Sequence, residues 1–91
     1  MGKSTDFLIG FVRDYLSGEN SRLDFDLDYD HYVIEHFPRM ERENPELAEC
    51  FAFYLAGEEI DRARDLSDSE CKKLVRRQFN KFMAAWKDGF C

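Results

Sequence analysis

Apolar residues recur at helical spacing near the start of the chain. In FLIGFVRDYL they follow one another three and four residues apart, which is typical of a helix with one buried face. Ser4, Thr5 and Asp6 offer side chains that can cap its start, and Gly18 suits the left-handed conformation at a helix end. The pattern predicts a first helix from about Thr5 to Ser17.

A second clear unit is NPELAECFAFYLAG. Asn44 can cap a helix, Pro45 suits its first turn, and Gly57 follows the last apolar position. The apolar residues between them form one widened stripe. We therefore expect a helix that Gly57 closes.

The last helix is predicted from about Asp68 to Lys87. Ser67 and Glu70 stand three residues apart at its start, which is the spacing of a capping box. Lysines and arginines cover most of its outer positions. Its expected buried face consists of Cys71, Leu74, Val75, Phe79, Phe82, Met83 and Trp86.

The stretch DFDLDYDHYVIE, residues 24–35, alternates acidic and apolar residues in its first half. Alternation favours a strand, but no second run of this kind exists to pair with one. Helical spacing fits the later part. We expect a helix from about Asp28 to Phe37, then a kink or a short new turn through Arg42, with an extended connection over Glu19–Leu27.

These elements predict an all-α fold class, a small four-helix bundle, in a single domain spanning 1–91. Hydrophobic residues make up 44% of the chain and aromatic residues 15%, enough for one core, and five Gly and two Pro argue against a turn-rich β-fold. No apolar run reaches the roughly 20 residues of a membrane span, and no secretory leader is visible. We expect a cytoplasmic protein.

Catalytic motifs are missing from the sequence. It has no Gly-rich phosphate loop, no GxSxG and no HExxH, and His31 and His36 are five residues apart, which is not the spacing of a helical metal pair. Cys50 and Cys71 fall in apolar patterns, where buried reduced thiols are expected, and Cys91 completes an odd count. We expect no enzyme activity and no cofactor.

The acidic stretch resembles a calcium loop closely enough to require a test. Asp24, Asp26, Asp28 and Glu35 occupy positions 1, 3, 5 and 12 of an EF-hand pattern. The pattern also needs Gly at position 6 for its sharp turn, and Tyr29 stands there. We therefore expect no metal site.

Charge is unevenly spread along the chain. Residues 24–70 hold fifteen acidic and four basic residues, a balance of −11, whereas 71–91 have a balance of +5. The anionic middle argues against direct binding of nucleic acid and for a cationic partner. The alternative is a solvated acidic surface that keeps a small protein in solution.

With these elements placed, the chain resembles the colicin D-type immunity proteins, which also accompany toxins of contact-dependent growth inhibition. The similarity lies in FLIGFVRDYLSG as an opening helix, an aromatic second helix, ELAECFAFYLA, the acidic GEEIDRARD, and LSDSECKKLVRRQFNKF. It extends over most of the chain. The alternating LDFDLDYD departs from the family's usual entry to the second helix.

The resemblance implies an immunity protein, or antitoxin, that binds a cognate basic nuclease toxin, one that cuts transfer RNA, and blocks its active site. An acidic inhibitor can occupy the phosphate subsites of such an enzyme. Phe25, Leu27 and Tyr29 either tuck inward or form apolar anchors. The alternative is a small acidic helical adaptor or regulator without a toxin, and the stoichiometry stays open. The expected partner-binding residues are Asp24, Asp26, Asp28, Asp30, Phe25 and Tyr29, with Glu58, Glu59, Asp61 and Asp65 as a second patch.

Overall fold

The structure is a computed structural model that describes residues 2–88. Its helices are α1 (Lys3–Ser17), α2 (Arg22–Glu43), α3 (Pro45–Leu55), α4 (Glu58–Ala63) and α5 (Asp68–Asp88). No strand occurs in this part of the chain. The all-α fold class is confirmed, and four of these helices correspond to the four predicted for the bundle. The short α4 lies outside the predicted set.

The chain divides into two compact units, 1–48 and 49–91, with the boundary inside α3. The assignment of a single domain stays a prediction.

In the first unit, α1 and α2 pack against each other through aromatic rings. Phe7 stacks on His36 with ring centroids 4.4 Å apart, and Tyr15 stacks on Phe25 at 4.3 Å. Phe11 lies between these pairs, against further rings of α2. Early residues of α1 meet late residues of α2 and the reverse, so the two helices run antiparallel.

The start of α2 differs from its prediction. The helix begins at Arg22 and not near Asp28, so residues 19–27 do not form an extended connection. Ser21 caps it, because its hydroxyl oxygen accepts the backbone N–H of Asp24 at 3.1 Å. Burial of aromatic residues four apart against α1 outweighs the strand-like alternation.

The end of α2 also differs. The helix continues through Pro38 to Glu43, so the prediction that it ends at Phe37 is wrong. Proline has no N–H, which removes the intrahelical partner of the Ile34 carbonyl. Both Ile34 and Pro38 lie on the exposed side of the helix, where water can serve that carbonyl.

The amino end of α1 is capped by a residue from the far end of α2. The N-cap residue Gly2 has no side chain to offer, and the predicted local side-chain cap is absent. Glu43 Oε1 accepts the hydroxyl of Thr5 at 2.7 Å and its N–H at 2.9 Å, and Oε2 accepts the N–H of Ser4 at 3.1 Å. The bond from the Thr5 hydroxyl is the largest cause that holds the pKa of Glu43 below its ordinary value.

Other predicted helix ends are confirmed. Gly18 follows α1 with a φ of 90°, in the left-handed region. The Asn44 side chain accepts the backbone N–H three residues on at 3.1 Å, and Ser67 does the same at 3.3 Å. Gly57, by contrast, is the N-cap residue of α4, since α3 already ends at Leu55.

The second unit is built from the end of α3 together with α4 and α5. Phe51 and Phe82 are fully buried and meet edge to face with ring centroids 5.7 Å apart. Gln78 is buried as well, and its Nε2 donates to the carbonyl of Tyr54 at 3.2 Å. That bond satisfies one of the acceptors left open at the end of α3.

The buried face of α5 is confirmed in part. Met83 is exposed and Trp86 is half-buried, so Trp86 does not close that face as expected. Phe79 is half-buried too. The members of the face that are buried are Cys71, Leu74, Val75 and Phe82.

Cys71 and Cys50 differ in redox state. Cys71 is a buried free thiol, as predicted. Cys50 is buried but disulfide-bonded, so the prediction of a reduced thiol is wrong for this residue. Periodicity indicates that a thiol points inward, but it does not indicate which thiols the fold brings within bonding distance. Cys91 lies outside the described residues.

Candidate partner-binding surface

The four aspartates of the acidic stretch lie on the first three turns of α2. Successive helical residues are rotated by about 100°, so residues four apart share a face. Asp24 and Asp28 therefore share one side of the helix, and Asp26 and Asp30 share the other side, about 200° away. Asp24 and Asp30 are exposed, whereas Asp26 and Asp28 are half-buried.

Asp26 is already engaged within the helix. Its Oδ2 accepts a hydrogen bond from Arg22 Nε at 2.9 Å, and the two side chains are 34% and 16% exposed. Its Oδ1 is buried without a hydrogen-bond partner in the structure. A partner's cation would have to compete with Arg22, so Asp26 is less available than Asp24.

The aromatic residues of the acidic stretch face α1 and not the solvent. Phe25 and Tyr29 are each 1% exposed, and their rings lie 4.8 Å apart on the inner face of α2. Of the two alternatives considered, the structure has both residues tucked inward. Their contribution to the acidic surface is to hold α2 against α1.

Aliphatic residues form an outer stripe on α2, and of these the sequence had indicated only Leu27 as a possible apolar anchor. Leu23, Leu27 and Ile34 are 65%, 67% and 76% exposed. We call these three residues the α2 stripe. Their spacing of four and seven residues repeats on one helix face. Ser21-x-x-Asp24 was the available signal, because a helix that begins there places the stripe opposite Phe25 and Tyr29.

The second predicted patch lies on and just after α4. Glu58, Asp61 and Asp65 are exposed, and Glu59 is half-buried. Glu59 Oε1 accepts a hydrogen bond from Arg62 at 2.8 Å, so this carboxylate too has a cation of its own chain beside it. The buried residues Ile60 and Ala63 fix the inner side of α4.

An open recess of about 360 Å³ lies beside this second patch. The side chain of Phe53 is 73% exposed at its edge, and its ring meets that of Tyr54 at 4.9 Å. The recess thus combines an aromatic ring with acidic side chains. Its lining consists of Phe53, Gly57, Glu58, Glu59 and Gln78.

The geometry of the stretch is not that of a calcium loop. An EF-hand loop wraps its ligands around one point, whereas a helix directs Asp24 and Asp26 about 200° apart. Within residues 2–88, no group of three or more His, Cys, Asp or Glu side chains is arranged to hold a metal ion. His31 lies 3.6 Å from Glu35, an exposed pair one helical turn apart.

None of the helices in the described part of the chain is both long and apolar enough to cross a membrane. No protein-family model, curated protein or solved structure matches this chain.

Proposed function

We propose that this chain is an immunity protein that binds a cognate basic nuclease toxin and covers its active site with the acidic surface of α2. The carboxylates would occupy the subsites that normally hold the phosphates of the RNA. The resemblance to colicin D-type immunity proteins supplies the partner class, a nuclease that cuts transfer RNA.

The observation that carries the proposal is the outward acidic face of α2. Asp24 and Asp30 are exposed, and the helix that bears them is anchored by buried Phe25 and Tyr29. Charges on a fixed helix lose little freedom on binding, which favours affinity. The balance of −11 over residues 24–70 adds a long-range field that attracts a cationic domain.

The two acidic patches differ in what they can contribute. Asp26 and Glu59 are each paired with an arginine of this chain, so their charge is partly neutralised. Exposed carboxylates at the rim of an interface act mainly on the association rate, whereas a desolvated carboxylate pair costs about 2–5 kcal/mol on truncation. We therefore expect Asp24 to matter more than Asp26.

The test begins with co-expression of this chain and the product of the neighbouring gene. Co-purification shows whether the two bind, and a transfer-RNA cleavage assay shows whether the neighbour is inhibited. Asp24→Asn and Asp30→Asn should weaken binding at least tenfold for one or both, which is about 1.4 kcal/mol. Asp14→Asn, an exposed carboxylate on α1, makes the same charge change outside both patches and should leave binding unchanged.

Two results would count against the proposal. A neighbour without nuclease activity would favour the acidic adaptor. Full inhibition after both patches are neutralised would show that acidic side chains do not block the active site. Glu58→Gln and Asp61→Asn, tested with the α2 variants, decide which patch makes the contact.

A further inference from the structure

The outer face of α2 carries aliphatic side chains where a water-facing helix normally carries polar ones. The three residues of the α2 stripe are 65–76% exposed, more than almost all other large apolar residues of the described chain. The stripe extends from Leu23 to Ile34, about 16 Å along the helix. Large apolar side chains that repeat along one exposed helix face favour an interaction site.

Folding of the first unit does not require the α2 stripe. The inner face of α2 already meets α1 through Phe25, Tyr29 and Tyr32. The stripe lies on the opposite side of the helix, and its aliphatic side chains gain little burial from the fold. Binding of another molecule is therefore the remaining explanation for the apolar character of the stripe.

The charges around the α2 stripe indicate what can cover it. Residues 22–35 hold five acidic residues against Arg22 alone, a balance of −4 with histidine neutral. A second copy of this face would bring like charges together, and an anionic membrane surface would be repelled. A cationic protein surface is the complementary occupant.

We propose that the α2 stripe is the apolar centre of the partner interface, and that its occupant is an apolar patch ringed by lysine or arginine on a cationic protein. This inference rests on the proposed function, since it describes the same surface, and it adds what the acidic residues alone do not supply. Binding energy concentrates at a desolvated centre, and the surrounding charges exclude competitors and set the encounter rate.

A defined probe tests the inference without the natural partner. The probe is a synthetic helical peptide with leucines along one face and lysines on both sides. Its first control replaces the leucines by serine, and its second replaces the lysines by glutamate. Binding to the full 91-residue chain is measured by fluorescence anisotropy at two salt concentrations.

On the protein side, Leu27→Ala and Ile34→Ala remove stripe side chains while keeping a good helix former in place. Met83→Ala is the matched control, because Met83 is 37% exposed on α5 and lies outside the stripe and both acidic patches. Circular dichroism verifies that each variant keeps its helix content.

We expect the leucine-lysine peptide to bind, and each stripe variant to weaken it at least fivefold with an unchanged salt dependence. Asp24→Asn should flatten the salt dependence instead, and Met83→Ala should change neither quantity. The serine and glutamate peptides should bind at least tenfold more weakly.

Several results would overturn the inference. They are equal binding of the serine peptide, no loss in the stripe variants, or no binding of the leucine-lysine peptide. A dimer in sedimentation that Leu27→Ala dissociates would identify a second copy as the occupant. Failure of the proposed function is measured separately, as transfer-RNA cleavage that this chain does not reduce. Either proposal can therefore fail while the other is supported.

Discussion

The carboxylate of Glu43 accepts both the hydroxyl and the backbone N–H of Thr5, at 2.7 and 2.9 Å. One side chain from the last residue of α2 thus serves orphan donors at the first turn of α1. A negative charge at that position also complements the positive end of the helix dipole.

Replacement of Glu43 by Gln should lower the denaturation midpoint at neutral pH. The pKa of Glu43 is held below its ordinary value by these hydrogen bonds, so the ionised form is favoured in the folded chain. The stabilisation that ionised Glu43 provides is therefore complete above the pKa that Glu43 has in the unfolded chain. It is lost as the pH falls through the pKa that Glu43 has in the folded chain. Urea titrations at neutral and acidic pH should show a difference between the two proteins that shrinks in acid. A pH-independent difference would contradict the assignment.

Gly2→Ala offers a second test of the same contact. A Cβ at position 2 would collide with the Glu43 carboxyl group, which would have to move away from Thr5. The substitution should destabilise the unsubstituted protein more than the Glu43→Gln variant. A double-mutant cycle measures this coupling, and strict additivity would show that the two sites are independent.

Ser21→Ala should cost about 1 kcal/mol of unfolding free energy, because it removes the cap of α2. Ser21→Gly should cost only a few tenths of that. Ser67→Ala at the start of α5 is the matched control and should resemble Ser21→Ala in size. An effect near zero at Ser21 would place the true start of α2 further along the chain.

Gly10→Ala and Gly57→Ala should have opposite signs. Gly10 lies inside α1 with open space where a Cβ would stand, so alanine should stabilise by about 0.5–1 kcal/mol. At Gly57 the new Cβ would stand 2.9 Å from the backbone oxygen of Phe53 and would force the backbone to shift. Thermal denaturation of the two variants measures both changes. If Gly10→Ala also destabilised the protein, this would contradict the open space beside Gly10.

Phe82→Ala should cost about 3–5 kcal/mol, since the ring is fully buried against Phe51. Trp86→Ala should cost roughly half that or less, because Trp86 is only half-buried. Chemical denaturation compares the two directly. Equal costs would show that Trp86 is packed as the sequence pattern suggests.

Prediction from the sequence succeeded where the interactions are between residues close together along the chain. The left-handed Gly18 and the caps at Asn44 and Ser67 depend on residues within one turn, and the pattern located all three. Residues 22–27 at the start of α2 were missed, because the same alternation suits a strand and a helix with aromatic residues four apart. Only packing against α1 distinguishes them.

The candidate surface was predictable in its charge and not in its shape. Counting acidic residues located the stretch that bears Asp24 and Asp30. Whether Leu27 turns inward or outward depends on the helical phase, which Phe25 and Tyr29 set by packing against α1. The Glu43 cap joins residues 38 and 39 positions apart, a separation that no local pattern encodes.

That separation has a consequence for the kinetics of folding. Contacts near the Gly18 turn close short loops, whereas the Glu43 contacts close the longest loop of the α1–α2 pair and cost more chain entropy. They should form after the transition state, so Glu43→Gln should speed unfolding and leave the folding rate nearly unchanged. In this pair of helices the Glu43 cap should therefore govern the unfolding rate, and the Gly18 turn the folding rate.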